Sequence, residues 1–210
     1  MNAKQPDVSI ESAANESMRF ALFGGSFDPV HCAHLKVAYC ALEQSGVDSV
    51  IFIPASRSPL KHKPFAGDAD RLQMLRLALQ NEIRFELNTF EIGQDRSSFT
   101  IDTVDHFREL YGDAKLFWII GEDQFAHLDK WHRIHELAKK IVFLVYPRLG
   151  DHLRVKEPIN GLHYNLLKAK TMPVSSTEVR ERCEKGLDLR GLVPDSVEAF
   201  IHKQGLYKKD

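Results

Sequence analysis

Arg19-Phe20-Ala21-Leu22-Phe23-Gly24-Gly25-Ser26-Phe27-Asp28-Pro29-Val30-His31-Cys32-Ala33-His34-Leu35 is the stretch whose reading decides the fold. Phe20 to Phe23 is an apolar run of strand length. Gly24-Gly25 interrupts it, where the backbone can take conformations closed to other residues. Two histidines follow at i, i+3, and Leu35, Val37, Ala38, Ala41 and Leu42 then recur at helical spacing. Strand, glycine turn and helix make the first half of a βαβ unit. Anions bind at such turns because free backbone N–H groups and the helix dipole both point there. Imidazolium is a donor whose charge changes near neutral pH, so His31 and His34 are candidate phosphate ligands. No Gly-Lys-Ser/Thr follows, which excludes a Walker A loop, and the glycine spacing is not the dinucleotide GxGxxG.

Outward from this turn the chain alternates apolar runs with amphipathic ones. Ser49-Val50-Ile51-Phe52-Ile53-Pro54 reads as a second buried strand that completes a right-handed parallel βαβ unit. Ala55 to Asp68 has no apolar period and reads as a functional loop. A helix is expected from Asp70, with Asp68 or Asp70 as its cap, then an alternating, half-exposed strand over Phe85–Ile92. Thr100–Leu110 reads as a helix capped by Ser98 or Thr100, and Leu116–Ile120 as the most apolar strand. Helical pieces follow at Gln124–Leu128 and Trp131–Ala138, then a strand over Ile141–Tyr146. An irregular segment with room for a short edge strand spans Leu149–Leu167, and helices close the chain at Ser175–Lys185 and Ser196–Gln204. The fold class expected is α/β, a Rossmann-like doubly wound parallel sheet in one domain, 18–210, with a C-terminal helical segment. Residues 1–17 are polar and read as a flexible extension.

Composition bounds the function. The 210 residues are 43% hydrophobic and 27% charged, enough for one sizeable core. The net charge is −1, so neither nucleic acid nor a membrane surface is an expected partner. No apolar run is long enough to span a bilayer. Three cysteines without CxxC spacing fit a reducing, cytoplasmic compartment, and Cys32 reads as a bystander. The chain is expected to be a monomer or a homo-oligomer.

A second constellation stands near the C-terminus. Val174-Ser175-Ser176-Thr177-Glu178-Val179-Arg180 starts a helix with good N-caps, and Glu178 three after Ser175 makes a capping box. It is a second helix N-terminus suited to an anion.

Together the two stretches resemble a known family. Gly24 to His34 is similar to the GGSFDPxHxGH signature of nicotinate/nicotinamide mononucleotide adenylyltransferases, with Ala33 where the family has Gly. Val174 to Arg180 is similar to that family's ISSTxIR motif. The resemblance covers Arg19 to Tyr207. It implies ATP binding by Gly24, Gly25, Ser26, Phe27, His31, His34, Gly121, Asp123, Ser175, Ser176, Thr177 and Arg180. Ser98-Phe99-Thr100 resembles the SYT segment whose amides meet the nicotinate carboxylate, and Trp131 stands where a tryptophan stacks on the pyridine. Phe99 replaces the usual tyrosine and lacks its hydroxyl. Leu192-Val193-Pro194 and Gly205-Leu206-Tyr207 match the terminal pattern and read as packing.

The loop Ser58-Pro59-Leu60-Lys61-His62-Lys63 resembles PPHK in either of two alignments, through Pro59 or through His62. The implied reaction is adenylyl transfer from ATP to nicotinate mononucleotide. His31, His34, Lys61 and Arg180 would be catalytic, and Mg2+ would be carried on the ATP phosphates with no dedicated protein metal site. Asp28 reads as a turn-fixing residue rather than a metal ligand. The alternatives are another phosphorylated acceptor, such as nicotinamide mononucleotide or phosphopantetheine, cytidylyl transfer, or a nucleotide-binding regulator without turnover.

Overall fold

Alternation along the strands sorts the apolar side chains onto two faces. Ala21, Val50, Phe52, Phe117, Ile119 and Leu144 belong to one core, while Phe20, Leu22, Ile51, Ile53, Trp118 and Phe143 belong to the other. A one-residue slip of any central strand would exchange the two sets, so the register is strongly specified. A computed structural model describes residues 17–56, 64–94, 98–147, 159–170 and 172–208. The residues expected to form the N-terminal extension lie outside these, apart from Ser17.

In chain order the elements are β1 (Arg19–Gly25), α1 (Cys32–Ser45), β2 (Ser49–Pro54), α2 (Asp68–Leu79), β3 (Phe85–Leu87) and α3 (Thr100–Tyr111). Then come β4 (Lys115–Gly121), a short α4 (Glu122–Phe125), a 3-10 turn (Leu128–Lys130), α5 (Ile134–Lys140), β5 (Val142–Tyr146), β6 (His163–Leu166), α6 (Ser176–Glu184) and α7 (Asp195–Gln204). The sheet order is β3-β2-β1-β4-β5-β6, with every neighbouring pair parallel. It is the doubly wound α/β fold expected.

Residues of α1, α2, α6 and α7 pack on the first core, and residues of α3 and α5 on the second. Phe52, Phe107, Phe117 and Phe143 are essentially inaccessible, and burying each contributes about 1.5–3 kcal/mol. The strand order reverses between β1 and β4, so the chain leaves these two strands toward opposite faces. Ligands of open parallel sheets bind in the crevice at this switch point, beyond the carboxyl ends of the strands.

Several local expectations change. β3 ends at Leu87 rather than Ile92, because the Asn88 carboxamide oxygen accepts from the Phe90 N–H at 2.8 Å and turns the chain. The cap of α3 is Phe99, in extended backbone, rather than Ser98 or Thr100. α2 begins at Asp68 behind Gly67. Trp131 follows the 3-10 turn in extended backbone, and the helix expected from it starts at Ile134. The edge strand expected as a possibility within Leu149–Leu167 is β6.

Candidate active site

The histidine turn is built by packing before any ligand is considered. Gly24 and Gly25 close β1, and neither has a positive φ. The sequence argument for unusual backbone at these glycines is therefore corrected. Their real constraint is space. A Cβ on Gly24 would lie 2.7 Å from the Trp118 ring, and one on Gly25 would lie 3.0 Å from the Phe27 ring. Phe27 holds the strained conformation instead, at φ 45°, with its ring buried edge-on to Phe23 and His34.

His31 is the N-cap of α1 and is buried, whereas His34 is partly exposed. Their rings stack, with centroids 3.6 Å apart. The His31 N–H donates to Nδ1 of His34 at 3.2 Å. The neutral His34 ring therefore carries its proton on Nε2, which makes Nε2 a donor. The first amide of α1 is also committed, since the Cys32 N–H donates to the Leu192 carbonyl at 2.8 Å. The expected free backbone amides at this helix start are thus partly taken. Leu192, read from the sequence as packing, is also a helix cap. Burial, with Asp195 second, holds the Cys32 thiol above its ordinary range, which agrees with the bystander reading.

Asp28 is the hub of the turn. Its buried carboxylate accepts from the Phe65 N–H at 2.7 Å, the Ala66 N–H at 3.1 Å and the Tyr207 hydroxyl at 2.8 Å. This supports the turn-fixing role and leaves the carboxylate little capacity for a cation. Burial and the Asp28 carboxylate push the Tyr207 phenol well above its ordinary range. Arg71, fully buried, donates to the Ser26 carbonyl at 2.6 Å and to Asp68 at 2.7 Å. Neither Tyr207 nor Arg71 was singled out from the sequence as part of the site. Arg71 carried no signal beyond a charge among apolar helix positions, and Tyr207 carried only its place in the terminal pattern.

The second motif meets the first. Ser175 caps α6, its hydroxyl accepting from the Glu178 N–H at 3.1 Å. The Ser176 hydroxyl donates to the Pro29 carbonyl at 2.9 Å, and Arg180 donates to the Asp28 carbonyl at 2.7 Å. Arg180 also reaches the Thr177 hydroxyl at 3.1 Å and lies over the exposed Phe65 ring, 4.5 Å from its centroid. A guanidinium has five N–H donors, so these bonds leave others for an anion.

Across the switch point, Gly121 ends β4 and Asp123 is exposed in α4. On the second core, which α4 also joins through its Phe125, the half-buried Ser98, Phe99 and Thr100 lead into α3. The Phe99 ring lies 4.5 Å from His132, and half-buried Trp131 packs on the same core, 6.3 Å from Phe143. The structure thus gathers Ser98–Thr100 and Trp131 into one neighbourhood. Lys61, with the rest of the Ser58–Lys63 loop, lies outside the described residues. Among the described residues no group of three or more His, Cys, Asp or Glu side chains is placed to hold a metal ion, and no helix is long and apolar enough to cross a membrane.

A parallel sheet whose switch point joins a histidine turn to a serine-capped helix defines a class of nucleotide-handling proteins. A family model described as cytidylyltransferase-like matches residues 22–182, which places the chain in such a class. The chain is 40% identical over 194 residues to a Methylacidiphilum infernorum protein described as a probable nicotinate-nucleotide adenylyltransferase, covering 91% of this chain and 93% of that one. It is 38% identical over 192 residues to a Hydrogenobaculum protein of the same description, covering 91% and 100%. The chain belongs to the nicotinate-nucleotide adenylyltransferases of the cytidylyltransferase-like family. The fold is also that of the Plasmodium falciparum nicotinic acid mononucleotide adenylyltransferase complexed with NaAD, with a TM-score of 0.76, 20% identity, and 90% and 97% of the two chains covered.

Proposed function

We propose that the protein transfers the adenylyl group of ATP to nicotinate mononucleotide, forming deamido-NAD and pyrophosphate. The mononucleotide phosphate oxygen attacks the α-phosphorus in line. The bond from that phosphorus to the bridging oxygen breaks, and pyrophosphate leaves with the electron pair. The attacking phosphate is already ionised, so the protein needs no general base. Its task is to position two anions and stabilise the charge that develops between them.

The observation that carries this reading is the junction of Ser176 and Arg180 with Pro29 and Asp28. It supports one phosphate site made from both motifs. In this reading His34 donates from Nε2 to a phosphate oxygen, and His31 orients it through its backbone N–H and its stacked ring. Arg180 supplies fixed positive charge, as Lys61 would from the loop before Pro64. Gly24, Gly25, Ser26 and Phe27 shape the floor, Gly121 and Asp123 face the ribose, and Ser175, Ser176 and Thr177 form the opposite wall. Ser98, Phe99 and Thr100 receive the pyridine carboxylate, with Trp131 stacked on the ring. Mg2+ carried on the ATP phosphates would offset their charge. The commitment of Asp28 to three protein donors fits a site without a carboxylate cage.

Residues 18–210 act as one domain in this reading, and the three free cysteines suit a cytoplasmic enzyme. The test is pyrophosphate release with ATP and Mg2+, offering nicotinate mononucleotide or nicotinamide mononucleotide. Release that strongly prefers the acid is the expected result. Release with neither overturns the reading.

A further inference from the structure

Between β3 and α3 the chain makes a turn that carries a buried carboxyl group, which the mechanism above does not use. Glu91 is 5% exposed, and its Oε1 accepts from the hydroxyl of Thr103 at 2.6 Å. Thr103 is the fourth residue of α3 and is itself fully buried. The same turn is tethered to α3 a second time, through Phe90, whose ring stacks on His106 with centroids 3.8 Å apart and planes 8° from parallel. Within the turn, the Ile92 N–H donates to the Thr89 carbonyl at 2.9 Å, and the Gln94 carboxamide donates to the Phe90 carbonyl at 2.6 Å. A folded turn is therefore clamped to α3 at Thr103 and His106, one helical turn apart, just behind Ser98-Phe99-Thr100.

We propose that Glu91 is a positioning residue: through Thr103 it fixes the first turn of α3 so that the Ser98–Thr100 backbone meets the carboxylate of the substrate's pyridine ring. The inference rests on the substrate assignment made above. Burying a carboxyl group costs free energy that an apolar side chain of similar size would not, so packing alone gives no reason for an acid here. The hydrogen bond gives one, because it holds the turn and the helix in a single arrangement. Burial raises the Glu91 carboxyl above the ordinary glutamate range, and the Thr103 and Ser98 hydroxyls pull the other way without being the larger cause.

The experiment compares wild type, Glu91→Ala, Glu91→Gln and Thr103→Val in steady-state pyrophosphate release, with the KM for nicotinate mononucleotide and for ATP measured separately. Glu91→Ala is expected to raise the mononucleotide KM about tenfold and leave the ATP KM unchanged. Glu91→Gln, uncharged and able to accept from Thr103, is expected to restore it. Thr103→Val keeps the shape, loses the donor, and is expected to repeat the alanine effect, which covers the case in which Glu91→Ala does not fold. An unchanged mononucleotide KM in Thr103→Val, or an equal rise in both KM values, overturns the inference. So does a glutamine variant as impaired as the alanine one. Wild type without turnover on nicotinate mononucleotide would instead overturn the substrate assignment.

Discussion

The Tyr207 hydroxyl donates to Oδ1 of Asp28 at 2.8 Å, across 179 residues of chain. The bond joins the C-terminal end of the described chain to the turn that carries both histidines. It completes a carboxylate already held by two backbone amides of the segment entering α2. Tyr207→Phe should therefore do more than remove a surface contact. Loss of this hydrogen bond is expected to lower stability by about 1 kcal/mol and to raise the ATP KM while sparing that of the mononucleotide. Thermal unfolding and the two KM values check it; an ATP KM equal to wild type would confine Tyr207 to a structural role.

His34 is partly exposed, and its ring is held by packing on Phe27 and by the His31 N–H. His34→Ala is expected to cut kcat by about 10²- to 10³-fold, the scale of losing one preorganised donor to a developing anion. The unfolding midpoint should change little. Turnover near the wild-type rate would remove the central role given to this side chain.

Trp131 packs one edge against Phe143 and is half-buried. Trp131→Ala should raise the mononucleotide KM by about tenfold with ATP unaffected, since ring stacking of this kind is worth roughly 1 kcal/mol or more. Equal KM values in variant and wild type would show that the ring does not receive the pyridine.

Gly24 offers a test of packing against backbone freedom. Its φ is not positive, so alanine meets no backbone penalty there, but the new Cβ would sit 2.7 Å from Trp118. Gly24→Ala is expected to destabilise by about 1–3 kcal/mol. Pairing it with Trp118→Leu should relieve part of that loss in denaturant titrations. Additive losses in the double variant would contradict the steric account.

Glu91 predicts a pH signature in stability. Its carboxyl is raised on folding from an ordinary value of 4.5, chiefly by burial. The folded state thus holds a proton that the unfolded state releases, and stability falls as pH rises through this window. The contribution is fully present below the unfolded value and lost above the folded one. Glu91→Gln removes the titration, so its stability relative to wild type should improve as pH rises above 4.5 and level off once the folded carboxyl is ionised. A difference that does not change with pH would show that Glu91 titrates alike in both states.

The chain's own periodicities determined a great deal. Apolar runs at Phe20–Phe23, Ser49–Pro54, Leu116–Ile120 and Ile141–Tyr146 mark the four central strands, because strands buried on both faces need continuous apolar sequence. The histidine turn and the serine-rich stretch were legible as helix starts because capping chemistry is local. What sequence could not decide lies in contacts between distant segments. It did not show that the Trp118 and Phe27 rings lie where a Cβ on Gly24 or Gly25 would fall. It did not show that Leu192 occupies the first amide of α1, or that Arg71 and Tyr207 hold the turn. Phe85–Ile92 alternates like a strand, yet only three residues pair, since Asn88 bends the chain out of the sheet. Periodicity reports which face of an element is buried. Which distant side chain fills the space beside it is set only when the sheet closes and segments up to 179 residues apart meet.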